Sequence, residues 1–216
     1  MPASKLGAHE VLEIHEVLTD TIDGINQFQL YRPYVKDQQL AAILDNQLQF
    51  MEREYNEMLS VLQNKGQGHL FSYRTAWQSS AQNAQPNYGL RNPAPEAPYA
   101  SMNELDDRDI ASGMLGCSKA SATLRMQAAL ECADPQIRQM MIQGATSCAE
   151  QAYETFQYMN QKGYYQVPTL QANTTSTMMN QYQPTQQQSM SNQQSSLNQS
   201  PQSINQQPMM GNQQQH

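Results

Sequence analysis

Residues 134–163 read DPQIRQMMIQGATSCAEQAYETFQYMNQKG. This stretch carries both ends of a helix and its buried face. Asp134 is a good N-cap, Pro135 suits the first helical position, and Gly163 is a good C′ terminator. Between them Ile137, Met141, Gly144, Cys148, Ala152, Phe156 and Met159 recur every three or four residues. That spacing predicts a helix over 135–162. Residues 37–66, DQQLAAILDNQLQFMEREYNEMLSVLQNKG, repeat the frame. Asp37-Gln38-Gln39-Leu40 matches Asp134-Pro135-Gln136-Ile137, and Lys65-Gly66 matches Lys162-Gly163, both at an offset of 97. The spacing predicts a second helix over 38–64, with Leu40, Leu44, Leu48, Met51, Tyr55, Met58 and Leu62 as its stripe. Caps recur in many helices, so one match says little. Start and stop signals in register across 30 positions indicate an internal duplication of a helical unit.

Each of these helices follows another. Over 9–35, Val11, Ile14, Leu18, Ile22 and Ile25 form an apolar stripe, and Pro33 should end or bend the helix. Over 105–132 the stripe is Ile110, Met114, Cys117, Ser121, Leu124 and Ala128. Glu104, Asp106, Asp107 and Asp109 cluster at its start, where the helix dipole favours anions. Ser112, Gly113, Gly116, Ser118 and Ala120 cost helix propensity there but allow a neighbour to approach closely. Residues 67–103 contain Pro86, Pro93, Pro95 and Pro98 and cannot form one continuous helix. A helix of this size is roughly 40 Å long, which the segment spans easily. The expected fold is all-α: a ferritin-like four-helix bundle made of hairpins 9–66 and 104–165 joined by the long crossover 67–103. Residues 1–8 are a short N-terminal extension. The crossover aromatics Tyr73, Trp77, Tyr88 and Tyr99 are expected to pack along the bundle, and Tyr164-Tyr165 to pack the chain exit against it.

Residues 166–216 belong to another physical regime. No Asp, Glu, Lys or Arg follows Lys162, so the side chains that make up the formal charge of −7 all precede the tail. Almost half of 171–216 is Gln or Asn. Such a segment is too poor in large apolar residues to bury a core, and disorder is expected. Its amides, with Met178, Met179, Met209 and Met210, suit adhesion or self-association. Accessible Gln side chains also suit acyl donation in transglutaminase cross-linking, with lysines such as Lys36, Lys65 or Lys162 as acceptors.

Composition excludes several classes. A sequence pI near 5.0 leaves no basic stripe for nucleic acid. No apolar run is long enough for membrane insertion, and the start lacks an apolar signal core. Cys117, Cys132 and Cys148 lie in helical patterns without CxxC spacing, as buried thiols in a reducing compartment do. A di-metal bundle site needs Glu-x-x-His pairs, and no such pair occurs on any expected helix. One cluster, His9, Glu10, Glu13, His15 and Glu16, offers His9, Glu13 and Glu16 as weak metal candidates on one face. The plainer reading is acidic residues in a first helical turn beside two surface histidines. Glu52, Glu54 and Glu57, with Arg53 among them, read as a solvated face. No catalytic constellation and no cofactor motif is present, and no cofactor is expected.

Three separated motifs resemble the spore coat protein F family. His9-Glu10-x-x-Glu13-x-His15-Glu16 opens the first helix, Val35-Lys36-Asp37-x-Gln39-Leu40 opens the second, and Tyr158-Met159-x-x-x-Gly163-Tyr164-Tyr165 closes the fourth. The resemblance covers residues 8–170 and leaves the tail outside. It departs from the family at Asp37-Gln38-Gln39, where Asp-Pro-Gln is common; here the Pro form opens the fourth helix. The resemblance implies a ferritin-like domain without a conventional di-iron site. It implies a structural component of the endospore coat, made in the sporulating cell and partnered by other coat proteins, with no catalytic residues to carry over. The alternatives are a ferritin-like metalloprotein acting on peroxide or oxygen, and a cytoplasmic helical adaptor.

Overall fold

Helices form where caps and stripes place them. The computed structural model describes residues 6–64, 85–93, 95, 97–98 and 101–184. Helix α1 spans Ala8–Tyr31, α2 Gln38–Asn64, α3 Asp107–Glu131, α4 Pro135–Lys162 and the short α5 Ala172–Met179. Asp37 accepts from the Gln39 and Leu40 N–H groups at 2.7 and 3.4 Å, and Asp134 accepts from Gln136 and Ile137 at 2.8 and 3.0 Å. Asp106 and Asp109 form a reciprocal capping box on α3. Gly163 ends α4 at φ 79°, a left-handed conformation that a side chain would disfavour. Pro33 has no N–H to continue α1, and the chain tightens there into the 3-10 turn Arg32–Tyr34. The Gly66 stop lies outside the described residues.

Contacts between named residues fix the topology. Gly113 lies against Tyr31, Ser121 bonds Asp20 and Glu131 lies by His9, which sets α3 antiparallel beside α1. Gln47 bonds Gln151 and Lys162 pairs with Asp37, which sets α4 antiparallel beside α2. Asp107, at the start of α3, accepts from the Lys36 and Asp37 N–H groups at the start of α2. Helices α2 and α3 are therefore parallel and diagonal, as one long crossover between two hairpins requires. One apolar cluster includes Phe28, Leu40, Leu44, Ile110, Met114 and Met159. A second, nearer the other end, includes Ile14, Val17, Met58, Ala128, Ile137 and Met141.

The offset of 97 governs burial as well as caps. The buried residues of α2 are Leu40, Ile43, Leu44, Gln47, Phe50, Met51, Glu54, Met58 and Val61. Adding 97 to each gives Ile137, Met140, Met141, Gly144, Ser147, Cys148, Gln151, Thr155 and Tyr158 of α4, all buried. In α1, Ile14, Val17, Thr21, Gly24 and Phe28 map in the same way onto buried Ala111, Met114, Ser118, Ser121 and Arg125. The end contacts follow too. Glu10 accepts from the Asp134 N–H, and Asp107 accepts from the Asp37 N–H. Since 10 + 97 is 107 and 37 + 97 is 134, these two contacts are one contact repeated about a pseudo-two-fold axis.

Three expectations need correction or extension. The buried face of α1 is Glu10, Ile14, Val17, Thr21, Gly24 and Phe28, whereas Val11 and Ile22 are exposed. The apolar stripe misplaced the face because polar and small residues do its inner packing: Thr21 meets Arg125, and Gly24 admits Cys117 and Met51. Of the crossover aromatics, Tyr88 has its side chain exposed and contributes its backbone, in a bridge to Val167; Tyr73, Trp77 and Tyr99 lie outside the described residues. The tail expected from residue 166 holds the short helix α5, and residues 185–216 lie outside the described residues.

The exit from α4 is fastened as well as capped. Tyr165 packs edge-on against Phe156 with ring centres 5.2 Å apart, and Tyr164 meets Tyr158. Buried Asn160 accepts from the Asn87 N–H at 2.7 Å and donates to the carbonyls of Asn87 and Tyr165. One amide thus joins the crossover, α4 and the exit.

The Asp37–Lys162 pair gives a pH prediction. Lys162 Nζ lies 2.6 Å from Asp37 Oδ2. The hydrogen bond from Lys162 holds the Asp37 carboxyl below its ordinary 3.8, and the same bond raises Lys162 above its ordinary 10.5. Asp37 therefore contributes stability above its unfolded value and loses it as pH falls through the lower folded value. Lys162 contributes below its unfolded value and loses it as pH rises through the higher folded value. Asp37→Asn keeps the cap, because Asn caps well. Urea melts across pH should show the wild-type advantage over this variant at neutral pH, shrinking towards acid.

Candidate functional site

The two apolar clusters are divided by a buried polar layer contributed by all four long helices. Glu54 of α2 is 0% exposed and Arg125 of α3 is 2% exposed. Arg125 Nη1 lies 2.8 Å from Glu54 Oε2. Its Nη2 donates to Thr21 Oγ1 of α1 at 2.9 Å, and the Thr21 hydroxyl donates on to the Val17 carbonyl. Gln47 donates to the Gln151 carbonyl, to Glu154 Oε2 at 2.9 Å and to Thr155 Oγ1, tying α2 to α4. The reading of Glu54 as a solvated carboxylate is therefore wrong; Glu52 and Glu57 are the exposed members of that trio. Removing a charge from water is expensive, so Glu54 needs a cation with additional hydrogen bonds.

Gly144 makes room for that cation. A Cβ there would lie 2.6 Å from Arg125 Nη1 and 3.2 Å from Glu54 Oε1. At the duplicated position the first hairpin has Gln47, and Arg125 itself stands where the first hairpin has Phe28. The polar centre is thus made where the two copies differ. Nothing in an apolar stripe points to Arg125 or Thr21, and the stripe of α4 holds Gly144 without saying what its missing side chain admits. Aligning the two hairpins at the offset of 97 singles out Arg125 and Gly144, since it sets an arginine against a buried Phe and a glycine against a Gln.

Cys117 and Cys148 sit near Arg125, and Cys132 lies at the end of the bundle near Glu10. Burial pushes the Cys148 thiol up to about 12. Burial, then the nearby Asp20 carboxylate, raises Cys117. Burial and the Glu10 carboxylate raise Cys132 to about 11. All three are free and are held as protonated, weakly nucleophilic thiols.

The weak metal candidates do not come together. His9 is exposed and lies 3.8 Å from Glu131; Glu16 is exposed; Glu13 is half-buried. Among the described residues no three His, Cys, Asp or Glu side chains are grouped to hold a metal ion. Glu10, from the same sequence cluster, serves the fold instead, accepting from the Gly7 N–H at 2.5 Å and from the Asp134 N–H. A cavity of about 200 Å³ between α2 and α4, lined by Ile43, Glu154, Gln157 and Tyr158 among others, is smaller than most ligand pockets. Among the described residues no helix is long and apolar enough to cross a membrane.

Three variants test the layer. Gly→Ala inside a helix usually stabilises by up to about 1 kcal/mol. Here Gly144→Ala should destabilise, because the methyl displaces Arg125 from Glu54. Arg125→Met should cost about 3–5 kcal/mol by leaving Glu54 buried without its cation. Replacing both, as Glu54→Leu with Arg125→Met, should recover much of that loss. Chemical denaturation of the three variants reads all three signs.

The comparisons with known proteins match this architecture. A family model described as the coat F domain matches residues 106–168, which span α3, α4 and the fastened exit. The spore coat protein F-like protein YhcQ of Bacillus subtilis (strain 168) is 36% identical over 182 residues, covering 84% of this chain and 82% of its own. The crystal structure of a spore coat protein candidate from Bacillus halodurans C-125 superposes with a TM-score of 0.57 at 16% identity, covering 80% of this chain and 99% of its own, which shows a shared fold. The chain belongs to the spore coat protein F-like family, and the second of its two hairpins is its coat F domain.

Proposed function

We propose that this protein is a structural, non-enzymatic component of the bacterial endospore coat. The observation that carries this reading is the 36% identity to a spore coat protein F-like relative over most of both chains. The centre of the bundle supports it. Other four-helix bundles build metal and cofactor sites between facing helices at that level. Here Arg125 fills the place with a cation of the chain's own, and Glu54, Thr21 and Gln47 engage in internal bonds. The buried thiols are equally unsuited to catalysis. The bundle is then a rigid body that packs against other coat proteins.

The uncharged C-terminal segment supplies the second kind of contact. With no charged side chain after Lys162, neighbouring segments do not repel one another. Adhesion through amides and methionines is the simplest use, and covalent Gln–Lys cross-linking is a second use of the same side chains. Lys36 is exposed and suits an acceptor role, whereas Lys162 is occupied by Asp37.

Fractionation of sporulating cells tests the proposal. The full chain should appear in coat extracts, and a fluorescent fusion should ring the forespore. A chain ending at Gln171 should keep the thermal transition of the bundle and be extracted more easily. Recovery of the full chain from vegetative cytosol alone would establish the adaptor reading in its place. Gln–Lys isopeptides in peptide digests of the coat would identify the covalent form; complete extraction by boiling detergent would identify the adhesive one.

A further inference from the structure

The outer face of the second hairpin holds an open groove of about 600 Å³ between α3 and α4. Ala122, Ala145 and Ala149 give it a low floor, and Met126 and Leu130 stand along it, 44% and 75% exposed. The internal duplication supplies a comparison within the same chain. At the offset of 97, Asp45 corresponds to Ile142 and Glu52 to Ala149. The first hairpin therefore presents the acid Glu52 where the groove has Ala149; Asp45, paired to Arg32 at 2.5 Å, corresponds to Ile142, which packs against the second apolar cluster and does not line the groove. The second hairpin presents no acid at these positions. Two faces of common pattern have diverged towards neutrality on one side only.

The same chain carries a segment that matches the groove. In α5, Ala172, Thr175, Ser176 and Met179 share one face by their spacing. No residue of α5 is buried, and Met178 and Met179 are 54% and 74% exposed. A helix of eight residues is too short to persist in water without tertiary packing. It needs a surface. Its length is about 12 Å, and the rise from Ala122 to Leu130 along the groove is also about 12 Å. It brings no charge that the neutral groove would have to desolvate. Flexible Met side chains fit a floor of alanines.

We propose that α5 of one copy docks, with its Met179 face inward, in the α3/α4 groove of a second copy. The two surfaces differ, so the contact is head-to-tail: each bound copy still offers one free groove or one free α5, and assembly propagates as an open chain. The inference rests on the proposed function only in assigning self-association to the C-terminal segment, and it is independent of where the protein resides.

Sedimentation of the purified full chain over a concentration series tests it, with two surface variants. Ala149→Glu restores in the groove the acid that Glu52 supplies in the first hairpin, and Met179→Glu charges α5. Both positions are exposed, so helix content and thermal transition should be unchanged; if Ala149→Glu fails to fold, Thr146→Lys replaces it. The wild type should shift from the 24.4 kDa monomer to larger species as concentration rises. Each variant alone should remain monomeric. An equimolar mixture should stop at a heterodimer, because one partner retains a groove and the other an α5. A wild type that is monomeric throughout, or variants that assemble like the wild type, would overturn the proposal. So would loss of assembly in Ala149→Glu with retention in Met179→Glu, which would assign the groove to another surface of the second copy. Assembly in solution without spore localisation would strike the coat role and leave this contact standing; the reverse result would do the opposite.

Discussion

A guanidinium buried among four helices constrains the centre of this bundle. Arg125 can sit there only because Glu54 neutralises it, Thr21 takes a second hydrogen bond, and Gly144 leaves space where a Cβ would intrude. Each partner comes from a different helix. The charge therefore fixes the relative rotation of α1, α2, α3 and α4 more tightly than apolar contacts would, because those tolerate sliding and a charge-assisted bond does not. The apolar clusters on either side supply most of the burial, and the polar layer between them sets the register.

That layer is also where the duplicated halves part. The buried residues of α2, and those of α1 from Ile14 on, map onto buried residues at the offset of 97, and the end contacts of Glu10 with Asp134 and of Asp107 with Asp37 are mirror uses of one device. Against this symmetry stand a few differences with physical consequences. Phe28 faces Arg125 across the pseudo-dyad, and Gln47 faces Gly144. On the surface, Glu52 opposes Ala149. The interior differences replace a symmetric core by an ion pair. The surface difference gives one hairpin an acid where the other has a neutral groove. The coat F family model matches the second hairpin, the one that carries the groove.

A helical body with protonated, buried thiols and a charge-filled centre suits a building material. The segment after Lys162 adds no charged side chain. In the proposed coat role, the bundle supplies a shape set by burial, and the uncharged, Met- and amide-bearing segment supplies the adhesion proposed for it.

The sequence by itself determined the four long helices, the Asp caps of α2 and α4 and the duplication, and gave no sign of α5. These rest on local chemistry: Asp37 and Asp134 bond N–H groups two and three residues on, Gly163 turns left-handed one residue past its helix, and the stripes of α2 and α4 repeat within each element. Tertiary structure alone decided which charged residues are inside. Glu54 lies beside exposed Glu52 and Arg53 on the chain, and only the arrival of Arg125 from 71 positions away makes its burial tolerable. The inward face of α1 was likewise invisible, since Thr21 and Gly24 face inward because of what meets them from α2 and α3. A stripe records apolar residues; it cannot record a polar residue whose partner lies on another helix.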